Sequence, residues 1–153
     1  MTPSQARNAI KKSLKALIDP KPKKEAKDKV WTYFDSSCAY CGCPLSKKSR
    51  MGHIDHLYAE MDGGSNKLCN LVLSCSICNG DEKREQDWKQ FIYNNTAGDN
   101  SSSQPKIAKI SKWITINEGE PKLTEEELSI LDVEFDKINE VLSSSVNKLR
   151  RKN

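Results

Sequence analysis

The chain has 153 residues, of which 36% are apolar and 30% are charged, and its formal net charge is +4. A chain of this length builds about one domain with a modest core, and no apolar run approaches the roughly 20 residues of a membrane span. Residues 1–50 hold twelve Lys or Arg against four Asp or Glu, a distribution that suits a phosphate backbone or simply a solvated lysine-rich surface.

The first 35 residues predict two helices. Residues 3–18 place apolar side chains at helical spacing, among them Ala6, Ile10 and Leu14. Lysines interrupt this apolar set, so the segment lacks the core of a signal peptide and a cytoplasmic protein without membrane contact is expected. Two prolines end the helix, and a second helix is expected over residues 24–35.

Two cysteine pairs predict a metal site. Cys38 and Cys41 form one CxxC pair, and Cys75 and Cys78 form the other. Each pair can place two sulfurs on one ion, and two pairs complete a tetrahedron, so a structural zinc site is expected, with redox-active pairs as the alternative. Two cysteines are left over, Cys43 and Cys69, and the spacing Cys41-x-Cys43 could also chelate.

The 33 residues between the cysteine pairs are longer than a simple ribbon needs, which predicts an inserted functional segment. Residues 51–57 and 70–75 have the composition of short strands. A helix is expected over residues 81–93, after the second pair. The fold class is therefore α+β, with helices on both sides of this segment.

The C-terminal third is less specific. Residues 95–105 are polar and predict a linker. Residues 106–116 are ambiguous between helix and strand. Thr124 and Glu127 form a capping box that opens a long amphipathic helix to about residue 150. Its apolar face must pack on the core, on a second copy of the chain or on a partner subunit.

The segment around the cysteines resembles the HNH endonucleases, which share the ββα-metal fold. The resemblance covers residues 36–92 and rests on motifs in a fixed order: CxxCG, DH, GG, NL, CxxCN and a lysine. The residues are Cys38, Cys41, Gly42, Asp55, His56, Gly63, Gly64, Asn70, Leu71, Cys75, Cys78, Asn79 and Lys83.

The resemblance implies a role for each polar residue of these motifs. His56 would be the general base, because a neutral imidazole can take a proton from water. Asp55 and Asn79 would bind one Mg²⁺ or Mn²⁺ through oxygen atoms. Asn70 would orient the His56 ring. Products with 5′-phosphate and 3′-hydroxyl ends are expected.

Geometry adds one condition. Asp55 and His56 would face opposite sides of a regular strand, so the pair must lie at a strand end or a bulge. His53, two residues earlier, could be an auxiliary ligand or a phosphate contact, and Lys83 could contact the nucleic-acid backbone. A solvated or structural role is the alternative for both residues.

The sequence thus predicts a zinc-stabilised, metal-dependent HNH endonuclease that hydrolyses DNA, in restriction, antiviral defence or phage DNA processing. The alternatives are a catalytically idle zinc-knuckle module that binds nucleic acid, and an RNA-cleaving member of the same fold. The expected organisation is a basic helical arm over 1–35, a nuclease core over 36–94, a linker over 95–105 and a helical region over 106–153.

Overall fold

The computed structural model describes residues 2–83 and 86–150, without the side chains of residues 81 and 82. Its helices and strands are α1 (Pro3–Ile18), α2 (Lys24–Tyr33), β1 (Gly52–His56), β2 (Leu71–Cys75), α3 (Trp88–Asn95), α4 (Asn100–Ile116) and α5 (Glu125–Arg150). Two 3₁₀ turns, Glu60–Asp62 and Leu68–Asn70, precede β2, and a π-helical turn, Cys78–Glu82, follows it. No helix among these described ranges has the length and apolar character to cross a bilayer.

The chain forms two compact units. One unit consists of residues 1–21 and 124–153, where α1 packs against α5. Arg7 joins the two helices, because its guanidinium donates to Asn139 at 2.8 Å and to Ser143 at 3.2 Å. The basic arm expected over 1–35 is therefore divided, since α1 lies in this unit and α2 in the other.

The second unit, residues 22–123, is built on an antiparallel hairpin of β1 and β2. The register pairs Gly52 with Cys75 and His56 with Leu71. Every residue of β2 is buried, as its apolar composition predicts. Helices α2 and α3, with the residue that follows α2, supply the aromatic and aliphatic side chains that cover it, including Val30, Phe34, Trp88, Phe91 and Ile92.

Residues 106–116, which the sequence left ambiguous between helix and strand, are helical and belong to α4. Part of the expected linker belongs to the same helix. The linker prediction is wrong from Asn100 onward, because the Asp99 carboxylate caps a helix there by accepting from Ser101 N at 2.9 Å. Trp113 of α4 donates from Nε1 to the carbonyl oxygens of Leu68 and Leu71, at 2.9 and 2.8 Å. These contacts fix α4 against the start of β2.

The strands and the long helices lie close to their predicted bounds, and the largest difference follows β2. The continuous helix expected over residues 81–93 is instead the π-helical turn Cys78–Glu82 and, beyond residues 84 and 85, which are outside the described ranges, α3. The side chain of Asp87 caps α3 by accepting from Lys89 N and Gln90 N, each at 3.0 Å.

Candidate active site and metal centre

The pair Asp55-His56 lies at the end of β1, which terminates at His56. Asp55 is opposite Val72 in the hairpin, and His56 is opposite Leu71. Alternation along a strand would send the two side chains to opposite faces, and this constraint relaxes where the strand ends. The structure thus has the strand end, rather than the bulge, of the two expected arrangements.

The Asp55 carboxylate is held by two groups that the sequence did not connect with it. Tyr40 Oη donates a hydrogen bond of 2.7 Å to Asp55 Oδ2. The Lys83 ammonium lies 3.3 Å from the same oxygen. The Asp55 side chain is only 14% exposed, so water screens these contacts weakly. Both contacts are made with Oδ2, and no hydrogen bond from the described residues to Oδ1 is found.

The side chain of Lys83 is buried next to Asp55. It is 3% exposed, and Nζ donates to the carbonyl oxygen of His56 at 2.7 Å. The ammonium also lies 5.6 Å from the centre of the Tyr40 ring. A buried ammonium needs such compensation. The contact with a nucleic-acid backbone that the sequence suggested for Lys83 is therefore replaced by an ion pair inside the protein.

Tyr40 stays a hydrogen-bond donor over a wide pH range. Its side chain is fully buried. Burial raises the pKa of the Tyr40 phenol well above its usual value, and the neighbouring Asp55 carboxylate raises it further. The neutral phenol therefore keeps its proton and donates a hydrogen bond to Asp55. This residue lies between the first two cysteines, and sequence analysis assigned it no function.

The imidazole of His56 is half-buried and has a partner that sequence analysis missed. Nε2 of His56 lies 3.0 Å from Oδ1 of Asn66. An amide oxygen only accepts hydrogen bonds, so in the neutral ring this contact favours the tautomer with its proton on Nε2 and its lone pair on Nδ1. The sequence signal for Asn66 was its place in the polar loop directly after the two glycines of the GG motif.

Asn70 holds the backbone next to His56 rather than the imidazole ring. Its amide oxygen accepts from Tyr58 N at 2.9 Å, and its amide nitrogen donates to Tyr58 O at 3.1 Å and to Ser65 O at 2.8 Å. The side chain is fully buried, so it has no access to solvent. Asn70 therefore positions His56 through the chain that leaves β1 and through the loop that carries Asn66.

That loop passes very close to the end of β1. Gly64 N donates to Ala59 O at 2.9 Å, and a Cβ atom on Gly64 would fall on the Tyr58 carbonyl oxygen. Gly63 adopts a left-handed conformation with φ of +80°. Both glycines of the GG motif are thus required by the backbone, which brings Asn66 to His56.

Two further predicted residues have clear positions but no contact that defines a role. Asn79 lies half-buried in the π-helical turn directly after Cys78. The turn is closed by a hydrogen bond of 3.2 Å from Lys83 N to Cys78 O, and such turns are frequent at functional sites. His53 is exposed on the same strand face as Asp55, opposite Ser74. Their roles as ligand and auxiliary residue stay predictions.

Four thiols form a cluster that can hold a metal ion. The sulfurs of Cys38, Cys41, Cys43 and Cys75, here called the thiol cluster, lie within 4.8 Å of one another. Zn–S bonds of about 2.3 Å in a tetrahedron place the sulfurs about 3.8 Å apart, and the Cys41 and Cys75 sulfurs are 3.9 Å apart. Soft thiol donors at this separation fit zinc.

The thiol cluster contains Cys43, whereas the sequence predicted Cys78 as the fourth ligand. The expectation that Cys78 binds the ion stays a prediction, because this residue is also close. Its backbone N–H lies 3.4 Å from Cys75 Sγ, and its own sulfur lies 3.9 Å from Asn95 Nδ2. Cys69 contributes nothing to the cluster and lies buried in the turn before β2.

The thiols differ in how readily they ionise. Burial raises the pKa of Cys41 to about 12, and burial with the nearby Cys38 sulfur raises the pKa of Cys78 strongly. Burial opposes ionisation of Cys75 as well, but the Cys78 backbone N–H and the surrounding thiols outweigh it and lower the pKa of Cys75. Of Cys41, Cys75 and Cys78, Cys75 is therefore the thiol best prepared to be a thiolate, and a cation would stabilise the other two in that form.

Comparison with protein families matches the segment that holds this site. The sequence model of the HNH endonuclease family matches residues 38–85, about a third of the chain. No curated protein matches the chain in sequence. Among solved structures it is similar to the Type II-C Cas9 enzyme from Actinomyces naeslundii, at 16% identity and a TM-score of 0.38.

That similarity covers 78% of this chain and 14% of the Cas9 chain, so this chain spans a small part of that enzyme's length. The α+β fold class expected from the sequence is confirmed by the two-stranded sheet with its helices and by the family match. Residues 38–85, which hold the thiol cluster and the Asp55-His56 pair, are therefore the part of the chain that matches the HNH endonuclease family.

Proposed function

We propose that this protein hydrolyses DNA phosphodiester bonds, with His56 as the general base and one Mg²⁺ or Mn²⁺ held by Asp55 and Asn79. The observation that carries the proposal is the environment of His56. Its ring is half-buried at the end of β1, and the Asn66 amide oxygen, a hydrogen-bond acceptor, lies 3.0 Å from Nε2. The lone pair is then on Nδ1, the atom that would take a proton from the attacking water.

The donor chemistry around Asp55 suits a hard cation. Mg²⁺ prefers oxygen ligands, and Asp55 Oδ1 and the Asn79 amide oxygen are donors of that kind. A bound divalent cation supplies charge neutralisation at the scissile phosphate and the departing oxygen. The chain's own residues prepare the site for it. Tyr40 and Lys83 both engage Oδ2, which limits the Asp55 carboxylate to one orientation.

Zinc has a separate, structural role in this proposal. The thiol cluster links the loop before β1 to the end of β2, and the turn that carries Asn79 follows directly. Four sulfur ligands leave no open position for water, which is typical of structural rather than catalytic zinc. Loss of this ion should therefore loosen the hairpin, since metal binding energy contributes to folding in small domains.

The basic residues concentrated in positions 1–50 favour nucleic acid as the substrate class. Contacts with phosphates are independent of sequence and weaken steeply with added salt. The proposed setting is restriction, antiviral defence or phage DNA processing, in the cytoplasm. RNA is the alternative substrate, and parallel digests of labelled RNA and DNA separate the two.

An assembly of two copies, or of this chain with a partner subunit, would allow both strands to be cut. Helix α5 has apolar side chains that are at least half exposed, namely Ile130, Val133, Val141 and Leu149. An exposed apolar surface of this kind often marks an interaction site. The mass of the native protein in solution measures whether it is a dimer.

Plasmid nicking tests the catalytic proposal, with two histidines of β1 as a matched pair. His56→Ala should lower the nicking rate by at least about 100-fold, the usual contribution of a general base. His53→Ala alters an exposed histidine of the same strand and should lower the rate far less than His56→Ala does, because an auxiliary contact is not the general base. Both variants should bind DNA as the wild type does.

The same experiment identifies the alternative function. If the wild type and His56→Ala are equally inactive with Mg²⁺ and with Mn²⁺, while both still bind DNA, the protein is a nucleic-acid-binding module. Equal loss of activity in His53→Ala and His56→Ala would contradict the specific role of His56.

A further inference from the structure

Five thiols lie at the metal centre, one more than a tetrahedral ion binds. The thiol cluster already supplies four sulfurs within 4.8 Å of one another. Cys78 is a fifth, buried next to Cys75, whose sulfur lies 3.4 Å from the Cys78 backbone nitrogen. The two CxxC pairs alone would use Cys78 and leave Cys43 out, whereas the observed cluster does the reverse.

Cys43 is brought to the cluster by the backbone and not by chance contact of an exposed side chain. Cys38 N donates to Cys43 O at 2.9 Å, and Leu45 N donates to Ser36 O at 2.7 Å. These bonds make Cys38 and Cys43 neighbours across a small hairpin, in which the side chains of opposing residues lie close together. Gly42, with φ of +83°, allows the tight turn between them.

Cys78 is held next to Cys75 by a different segment. It opens the π-helical turn after β2, so its position depends on β2 and on that turn. The amide nitrogen of Asn95 in α3 lies 3.9 Å from the Cys78 sulfur. Two independent segments, the hairpin and the turn, therefore each present one additional thiol to Cys38, Cys41 and Cys75.

We propose that Cys43 and Cys78 compete for the fourth position on one zinc ion, whose other ligands are Cys38, Cys41 and Cys75. The exchange replaces one Zn–S bond with another. The incoming thiol gives up a proton and the outgoing thiolate gains one, so the charge of the site and the number of thiolate ligands are unchanged. This inference rests on the proposed zinc, and it does not depend on nuclease activity.

The exchange would link the zinc to the proposed catalytic metal site. Asn79 directly follows Cys78. With Cys78 on the ion, the start of the π-helical turn is tied to the two segments that hold the other three thiols. With Cys43 on the ion, that tie is absent and the turn depends on its own contacts. The ligand choice therefore sets how firmly Asn79 is held.

Cobalt and zinc titrations of the full-length protein test the exchange. The intensity of the sulfur-to-cobalt charge-transfer band reports the number of thiolates on the ion. Cys43→Ser and Cys78→Ser should each keep a four-thiolate spectrum and lose less than about tenfold in zinc affinity. The double variant should lose one thiolate and about 100-fold in affinity, because one of four metal–sulfur bonds is gone.

Cys69→Ser is the matched control, since it removes a fully buried thiol outside the cluster. It should leave the spectrum and the affinity unchanged. A full loss in either single variant, with no change in the other, would mean one fixed fourth ligand and would overturn the exchange. Absence of stoichiometric metal binding by the wild type would overturn the site itself.

Cadmium NMR on the wild-type protein avoids any variant that fails to fold. Scalar coupling between the NMR-active cadmium nucleus and cysteine β-protons identifies each bound residue. Exchange predicts coupling to Cys43 and to Cys78 in addition to the three constant ligands. Coupling to only one of the two would overturn it. Neither readout involves DNA cleavage, so an inactive protein that binds metal in this way would refute the nuclease proposal alone.

Discussion

Tyr40 and Asp55 connect the metal centre to the strand that carries His56. The phenol lies in the loop between Cys38 and Cys41, and its Oη donates a hydrogen bond of 2.7 Å to Asp55 Oδ2. The loop that carries Cys38 and Cys41 is thus joined to the proposed Mg²⁺ ligand by a hydrogen bond. Binding of zinc in the loop can fix the orientation of the carboxylate without any direct contact between metal and aspartate.

Tyr40→Phe removes this hydrogen bond and keeps the ring that packs on Phe91. We expect a loss of about 2 kcal/mol in the free energy of unfolding, because the acceptor is a charged and mostly buried carboxylate. Urea denaturation measures it. The Mg²⁺ concentration at which the nicking rate reaches half its maximum should also rise. An unchanged unfolding midpoint would show that the bond contributes nothing.

Lys83→Met should destabilise the protein by about 3 kcal/mol, since it leaves the Asp55 carboxylate largely buried and unpaired. Lys47→Met is the control. Its partner Asp28 lies 2.6 Å away, but both side chains are about half exposed. The midpoint of urea unfolding should therefore hardly change. Equal midpoints for the two variants would contradict the internal role of Lys83, as would a change confined to the salt dependence of DNA binding.

A substitution at Asn66 should change catalysis, whereas a substitution at Asn70 should change stability. Asn66→Asp keeps an acceptor for His56 Nε2 and adds a negative charge that favours the imidazolium, so the acidic limb of the pH–rate profile should move to higher pH. Asn70→Ala removes a buried amide with three backbone hydrogen bonds and should cost about 3 kcal/mol of stability. A profile that is identical in Asn66→Asp and the wild type would contradict the first expectation.

Gly64→Ala should disrupt the loop over the end of β1, because the new methyl group would fall on the Tyr58 carbonyl oxygen. A loss of roughly 2–3 kcal/mol or more is expected from such a clash with backbone. A Cβ atom on Gly80 meets no atom within 4 Å, so Gly80→Ala should be neutral or slightly stabilising. Thermal melts of the two variants measure the difference, and similar melting temperatures would argue against the close crossing.

Metal affinity should rise with pH. The pKa values of Cys41 and Cys78 lie above the usual thiol value, so these groups hold protons near neutral pH when no ion is bound. Zinc must displace the proton of each thiol that it binds, and apparent affinity then rises about tenfold per pH unit for each proton released. Zinc titrations between about pH 6 and pH 8 measure this slope. A slope near zero would mean that the ligands are already thiolates.

Much of the local structure follows from the sequence, because it is set by short-range chemistry. The capping box at Thr124 is present, with Glu127 N donating to Thr124 Oγ1 at 3.1 Å and Thr124 N donating to Glu127 at 2.8 Å. Helix α1 has its predicted bounds, and β2 follows its apolar run. The linker prediction failed because a single N-cap, Asp99, outweighed the weak helix propensity of the serines behind it.

The sequence by itself determined the two strands between the cysteine pairs, the Asp55-His56 pair in that segment and the HNH resemblance, since each depends on residue type and order along the chain. Only the tertiary structure placed Asn66 on the His56 ring, buried Lys83 against Asp55 and brought Cys75 to Cys43 in the thiol cluster. These contacts join segments 10, 28 and 32 residues apart, and such pairings depend on how the packed core folds the chain back on itself rather than on any local pattern.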